Sequence, residues 1–555
     1  MVHDPFVGRA QELTLCQRLL SGHLSMLYIR APLGLGKSRL LTECAVMAEA
    51  RHMPVSRLDA SRIQPSPPTL RQALIDLPES SIADPTLLIV DGFESHRALE
   101  GYYESELWPQ LPEGTYLLLA GTESLSRSWK REGRPVHQHA LGPLSDEEVR
   151  TYLERRAIAA DCRELLGVRS QGRPLWLATM AEFASDGQRE SIPGSGSQCS
   201  LHQLVMHVLR EAPSDEHRIA LWAAAMVPVL SERLLAAMLD KPRSNECYKW
   251  LATRPYVSVA RGGISLHSLF RDPLVNELIS AESELYRQLL LRCGRYHIAR
   301  VDTARDPKQR KHLTQMLMSS VRFEAPIFAL HRQLARSPLY CDELSPNDGP
   351  ALDSMVRLHE GGLVAELCAR YRELQPEGVS IFRDVEGHPA AFMQTLNLGR
   401  LGRRDEAEDP AVAAAFLALH DRVAAMLGRG RMYRRAIKNA WLVRTWMGAQ
   451  RYQSMGVGVA ELIGRMLSSV LASKDLSLWL VTCSTQAAME AAPLLREGSL
   501  ARMSDAFDLD GRSYELLGID FTSISATRLL REALTRMLAG TAPRTLEYAD
   551  RVATW

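Results

Sequence analysis

Paired cysteines are missing from this sequence: its nine cysteines are scattered singly, with no C-x-x-C pair and no metal-ligand spacing. That excludes a disulfide-stapled scaffold and a structural zinc site, and it fits reduced thiols. A dominant charge is missing too. With 66 Lys+Arg against 65 Asp+Glu, the formal charge is +1, so no global field draws nucleic acid or anionic lipid to the chain. Direct nucleic acid binding and membrane partners are therefore not expected. No run of about 18 uninterrupted apolar residues occurs. The start, "MVHDPFVGRAQEL", lacks the apolar core of a signal segment, and the expected compartment is the cytoplasm. Self-similarity at a period of about 34 residues is also absent, which argues against a run of helical repeats.

What remains is a globular chain of 555 residues, 46% hydrophobic and 24% charged, enough for three or four domains at about 150 residues each. Between Ser25 and Leu141, short β-type runs ("SMLYIRA", "PVSRLDA", "TLLIVDG", "TYLLLAG", "VHQHAL") alternate with helical patterns. Alternation of that kind predicts a parallel sheet with helices on its faces, and the apolar character on both parities predicts strands buried on both sides. "SDEEVRTYLERRA" opens a helical stretch at Ser145, with an acid three residues on, as in a capping box. "SDGQRESIPGSGSQCS" reads as a linker. Helices to about Leu239, a β-like "YVSVARGGISLH" and a helix from Ser268 give the order of a winged helix. The last third changes to α+β. Hairpin-like runs in "GVSIFRDVEGHPAAFMQTLNLG" and on Asp510-Gly511 flank strands "AIKNAWLVRTWM" and "LSLWLVTCS" and their helices. The expected fold is thus α/β and α+β multidomain, with parts at 1–144 (nucleotide-binding sheet), 145–200 (helical subdomain and linker), 201–280 (winged-helix-like), 281–351 (helical connector) and 352–545 (α+β).

The chemistry concentrates first in "YIRAPLGLGKSRLL". A phosphate-binding loop reads G-x-x-x-x-G-K-[ST]; Gly36, Lys37 and Ser38 fit, and Ala31 stands where the first glycine belongs. Such a loop turns backbone N–H groups and a helix N-terminus toward phosphate, while a lysine neutralises the charge and a hydroxyl binds Mg²⁺. Gly34 and Gly36 allow close approach, and a methyl at Ala31 is tolerated if that residue keeps a negative φ. Asp91 closes the apolar run "TLLIV", where a carboxylate can hold Mg²⁺. The acid that usually follows, to orient the attacking water, is replaced by Gly92, with Glu94 nearby. Slow hydrolysis is the expectation.

In order along the chain, "FVGRAQELTLCQRLL", "GLGKSRLL", "LLIVDG", "LGPLSDEEV" and "SQGRPLWL" resemble the segments of STAND-class signalling ATPases, the group that includes the maltose-regulon activator and large ATP-binding LuxR-type regulators. The resemblance covers about Pro5 to Leu274. It implies that Val7, Gly8 and Arg9 lie against adenine. It also implies that Gly172-Arg173-Pro174 closes over base and phosphates, with Pro174 at the nucleotide, and that His267 senses a phosphate; a histidine satisfied at a strand end is the other reading of His267. The arginine expected after the fourth strand has only Arg127 to offer.

The helix-turn-helix that ends the family's regulators is not found here. Instead, residues from about Leu352 to Leu538 resemble the GNAT acetyltransferase fold. That resemblance implies CoA pyrophosphate binding at Gln453, Gly456 and Gly458, which match Q/R-x-x-G-x-G/A after "AWLVRTWM". Glu386, His388, Glu461 and Tyr514 are the available acids and bases, Cys483 reads as a core residue, and a shell without catalysis stays open. The leading expectation is an ATP- and Mg-binding signal-transduction protein whose nucleotide state controls the GNAT-like domain, with protein partners or self-association. Two alternatives stand beside it: an acyl-CoA-dependent N-acetyltransferase with a regulatory ATPase module, acetyl-CoA being the expected donor, and a transcriptional regulator acting through partners.

Overall fold

A computed structural model describes residues 5–63, 65–75, 81, 84–125, 129, 135–185, 200–240, 244–260, 262–320, 339–424, 436–450, 452–453, 477–490, 500–522, 525, 527–528, 531–532 and 535. The chain divides into two compact units, one of residues 1–65 and 69–293, the other of 66–68 and 294–555.

The first unit is built on a parallel five-stranded sheet in the order β2-β3-β4-β1-β5. Its strands are β1 (Met26–Arg30), β2 (Val55–Asp59), β3 (Thr86–Asp91), β4 (Thr115–Gly121) and β5 (Val136–Ala140). The central strands β1, β3 and β4 are buried on both faces, as their apolar runs require. The edge strands differ: β2 and β5 are half exposed, which explains the Ser, Arg, His and Gln they carry. Helices α1 (Ala10–Leu20) and α2 (Lys37–Glu49) bury Leu15, Leu19, Leu40 and Leu41 in one core with Leu27, Ile29 and Leu118. There Cys16 and Cys44 are joined by a disulfide, their Cα atoms 5.9 Å apart. This corrects the reading of the cysteines as unpaired thiols, because helix packing brings together residues that lie 28 positions apart in sequence.

Three further helices follow the sheet: α3 (Asp146–Arg155), α4 (Ala160–Ser170) and α5 (Pro174–Ser185). Beyond them come α6 (Leu201–Arg210), α7 (Asp215–Met226), α8 (Glu232–Leu239) and α9 (Ser244–Ala252), then the hairpin β6 (Val257–Ala260) and β7 (Gly263–Leu266), then α10 (Ser268–Ala281). The unit boundary falls inside α11 (Ser283–Thr303).

In the second unit a mixed sheet runs β13-β15-β12-β11-β10-β9-β8, with β14 paired to β15. The strands are β8 (Tyr340–Asp342), β9 (Val379–Arg383), β10 (Pro389–Asn397), β11 (Ala440–Gly448), β12 (Leu478–Ser484), β13 (Ala501–Arg502), β14 (Phe507–Leu509) and β15 (Arg512–Asp520). β8 lies within the stretch read from sequence as a helical connector. Among the described residues of this sheet only β11 and β12 pair in parallel, and their register covers Ala440–Val443 against Leu478–Val481. Helices α12 (Gly349–Glu360), α13 (Gly362–Leu374) and α14 (Pro410–Ala424) carry apolar residues into the cores of this sheet.

Candidate functional site

The loop between β1 and α2 is shaped by its glycines. Gly34 has φ +83° and Gly36 φ +90°, a region that a Cβ disfavours. Ala31 is not among the positive-φ residues; it is buried, and its N–H donates to Gly121 O at 3.1 Å. The methyl in place of the motif's first glycine therefore costs the loop nothing. Gly36 is the N-cap of α2 and offers no side chain to the helix's first N–H groups, so those donors have no intrahelical partner and are open to an anion.

Charge converges at the same point. Lys37 is only 7% exposed. Its ammonium donates to Ala31 O at 2.6 Å and Pro32 O at 3.2 Å, and burial lowers its pKa against the pull of Glu94 and Asp91. Asp91, at the end of β3, is held above the usual carboxylate range by burial, while the Ser38 hydroxyl and the Gly92 N–H donate to it. Ser38 and Asp91 are thus brought together, as a shared Mg²⁺ would require, and these residues fit a nucleotide with its metal. Gly92 adopts φ +70° and starts a 3-10 turn that carries Glu94 back toward the site. The Glu94 carboxyl, raised by burial, feels Lys37 and Asp91 and accepts the Thr122 N–H at the tip of β4.

Two other segments close on the loop. Val7 is buried, Gly8 has φ +72° and Arg9, unusually for a residue with a side chain, has φ +64°. The Arg9 guanidinium donates to Gly142 O at 2.7 Å and Leu35 O at 3.1 Å, and its N–H donates to Glu148 Oε1 at 3.0 Å. Gly172 (φ +66°) packs on Leu144, where a Cβ would meet Leu144 O at 2.2 Å. Pro174 lies near Gly36 and Leu175 near Gly34, and the Leu175 N–H donates to Gly34 O at 3.2 Å. His267 caps α10 by accepting the Leu269 N–H on Nδ1 at 3.2 Å. Burial, reinforced by the charge of Lys37, pulls its pKa down to about 4. It is therefore neutral near pH 7, with Nε2 carrying the proton. Arg9, Gly34, Gly36, Lys37, Ser38, Asp91, Pro174 and His267 thus gather around one loop, and Val7 and Gly8 directly precede Arg9 in the chain. Arg127 lies outside the described residues.

The second unit is arranged differently from the expected CoA cradle. Gly456, Gly458 and Glu461 lie outside the described residues. Gln453 is buried, and its amide is committed to β12: Nε2 donates to Thr482 O at 3.2 Å and Oε1 accepts the Ser484 N–H at 2.6 Å. Trp446 Nε1 donates to the same Thr482 O at 2.8 Å. Glu386 and His388 occupy the exposed β9–β10 turn beside Asp384. Tyr514 is buried and shares a 2.9 Å hydrogen bond with Tyr452, whose hydroxyl also reaches Glu360 Oε1 at 2.9 Å. Cys483 is a core residue.

Sequence reasoning missed Glu148 as part of this assembly. The capping box was legible, but its carboxylate also reaches a residue 139 positions away, which no local pattern signals. Arg444 was missed for a similar reason. A bulge opposite Gln394/Thr395 skips it in the strand register, and it lies fully buried with Nε 2.6 Å from Asp409 Oδ2.

No protein-family model matches the chain, and no curated protein matches it. Among solved structures it is similar to a signal transduction ATPase with numerous domains (STAND) carrying a tetratricopeptide repeat sensor, from Pyrococcus horikoshii: 12% identity, 84% of this chain and 66% of that one, TM-score 0.40. It is similar to a RuvB variant from Thermotoga maritima at 14% identity, over 47% of this chain and 93% of that one, TM-score 0.27. Domain III of the Thermotoga maritima replication initiation protein DnaA is similar at 10% identity, over 38% and 95%, TM-score 0.25.

Proposed function

We propose that the first unit binds ATP with Mg²⁺ in the Ala31–Ser38 loop and acts as the nucleotide-dependent switch of a signal-transduction protein, with the second unit as its effector or sensor. The observation that carries this reading is the convergence of an uncapped helix N-terminus, a buried lysine and a Ser38–Asp91 pair on one glycine-shaped loop. Phosphate satisfies the free N–H groups of α2. Lys37 supplies the opposing charge, and Ser38 and Asp91 hold the metal, which neutralises phosphate charge when bound. Val7, Gly8, Arg9 and Pro174 enclose the remainder of the nucleotide, and neutral His267 offers a proton to an oxygen anion. Glu94, placed by the Gly92 turn, is the carboxylate available to orient water. Titration of the full chain with a fluorescent ATP analogue tests the reading: saturable, Mg-dependent binding that unlabelled ATP displaces supports it, and no binding refutes it.

A second reading, an acetyl-CoA-dependent N-acetyltransferase, is favoured by the strand order of the second unit. There β11 and β12, the one parallel pair of that sheet among the described residues, stop pairing after four residues and leave a gap, and the segment that follows β11 is where the GNAT resemblance implies CoA binding. Trp446 and Gln453 already satisfy the β12 edge in that gap, which favours a sensor or interaction role over turnover. Acetyl-CoA turnover against a panel of amines separates the two: thiol release supports the acetyltransferase, and none leaves the sensor or interaction role.

A further inference from the structure

The geometry points to Arg9, held by Glu148, and the N-terminus of α5 as readers of the carbonyl face of the nucleotide loop, so that phosphate capture on one side of the loop is transmitted to α3 and α5 through two rigid peptide planes. The inference rests on the nucleotide reading above and names the path by which the bound state leaves the loop.

The peptide unit is planar, with its C=O and N–H on opposite sides. The plane between Gly34 and Leu35 carries Gly34 C=O, which accepts from Leu175 N–H at the start of α5 (3.2 Å), and Leu35 N–H, which points the other way. The plane between Leu35 and Gly36 carries Leu35 C=O, which accepts from Arg9 Nη2 (3.1 Å), and Gly36 N–H. Those two N–H groups belong to the set a bound phosphate takes. Neither can swing toward phosphate without turning its carbonyl against Leu175 or Arg9.

From Arg9 the path continues through its own backbone. Its N–H donates to Glu148 Oε1 at 3.0 Å, while Glu148 Oε2 accepts the Ser145 N–H at 2.8 Å at the head of α3. One carboxylate thus holds both the Arg9 backbone and the helix cap. Gly8 is fitted to it so closely that a Cβ there would lie 2.0 Å from Oε1. Arg9 keeps a left-handed backbone at φ +64°, a strained conformation that persists only where surrounding contacts enforce it. Contacts from Glu148, Gly142 and Leu35 enforce it here.

The test is hydrogen exchange on the full chain with and without saturating ATP-Mg, with occupancy checked by displacement of a fluorescent ATP analogue. ATP is expected to change exchange about tenfold or more both at 174–179, through Leu175, and at 145–150, through Glu148. Glu148→Ala should abolish the ATP-dependent change at 145–150 and leave that at 174–179, whereas a merely structural cap would speed exchange at 145–150 equally with and without ATP. If Glu148→Ala does not fold, Glu148→Gln, which keeps one acceptor for the two N–H groups, should reduce the change at 145–150. ATP occupancy with no change at either segment, or an undiminished change at 145–150 in the variant, overturns the inference and leaves ATP binding standing. Absence of ATP binding by the parent overturns both.

Discussion

Placing a single methyl at Gly8 should loosen the clasp between α1 and α3. An alanine at φ +72° costs about 1 to 2 kcal/mol by itself. Its Cβ would also stand 2.0 Å from Glu148 Oε1 and 2.4 Å from Cδ, so the whole carboxylate must leave. The displaced group gives up the Arg9 and Ser145 N–H bonds, each worth about 1.5 to 3 kcal/mol when buried and less here, where water reaches part of the site. We expect a total of about 2 to 4 kcal/mol, read as roughly 30- to 1,000-fold faster amide exchange across α1 and α3 in the full chain. The cause is separable from backbone strain alone. In a Glu148→Ala background the clash is gone, so Gly8→Ala should cost only its conformational share, and the two substitutions should be non-additive by about 1 to 2 kcal/mol. Exchange in Gly8→Ala within about twofold of the parent, or strict additivity with Glu148→Ala, would refute the reasoning.

Other perturbations probe other parts of the structure. Burial holds His207 and His267 down to about 4, below the ordinary 6.5, so between these values the unfolded chain binds more protons. Stability of the first unit should therefore fall as pH drops through that window, by about 2 kcal/mol from pH 7.5 to 5 after discounting solvent access; thermal melts at both pH values check this, and His267→Gln should remove roughly half. Asp409→Ala leaves the fully buried Arg444 with only the Glu360 carboxylate, 3.8 Å away, and should cost about 3 kcal/mol in urea unfolding of the second unit. If Glu94 orients water, Glu94→Gln slows phosphate release about a hundredfold or more. Gly92→Asp should not speed turnover, because an aspartate at φ +70° is strained.

The legible parts of this protein are those encoded in local pattern. The central strands announced themselves as apolar runs, "GLGKS" as a turn into a helix, and the Ser145–Glu148 box as a helix start. What stayed hidden depends on tertiary proximity. The Cys16–Cys44 link exists because α1 and α2 share a face, and Glu94 reaches the loop only through the left-handed turn at Gly92. Arg444 is buried toward Asp409 because a bulge shifts the strand register at it, and no alternation rule anticipates a bulge. The mixed character of β2 and β5 became interpretable once the strand order placed both at sheet edges.

The central claim, that the Ala31–Ser38 loop holds ATP-Mg, is tested most directly by comparing ATP affinity of the parent with that of Lys37→Met. This substitution keeps the side chain's bulk and removes the ammonium that now rests on Ala31 O and Pro32 O. Loss of a charge-assisted contact worth about 1.5 to 3 kcal/mol should weaken binding about ten- to hundredfold or somewhat more. Equal affinity of the two proteins for ATP would contradict the assignment.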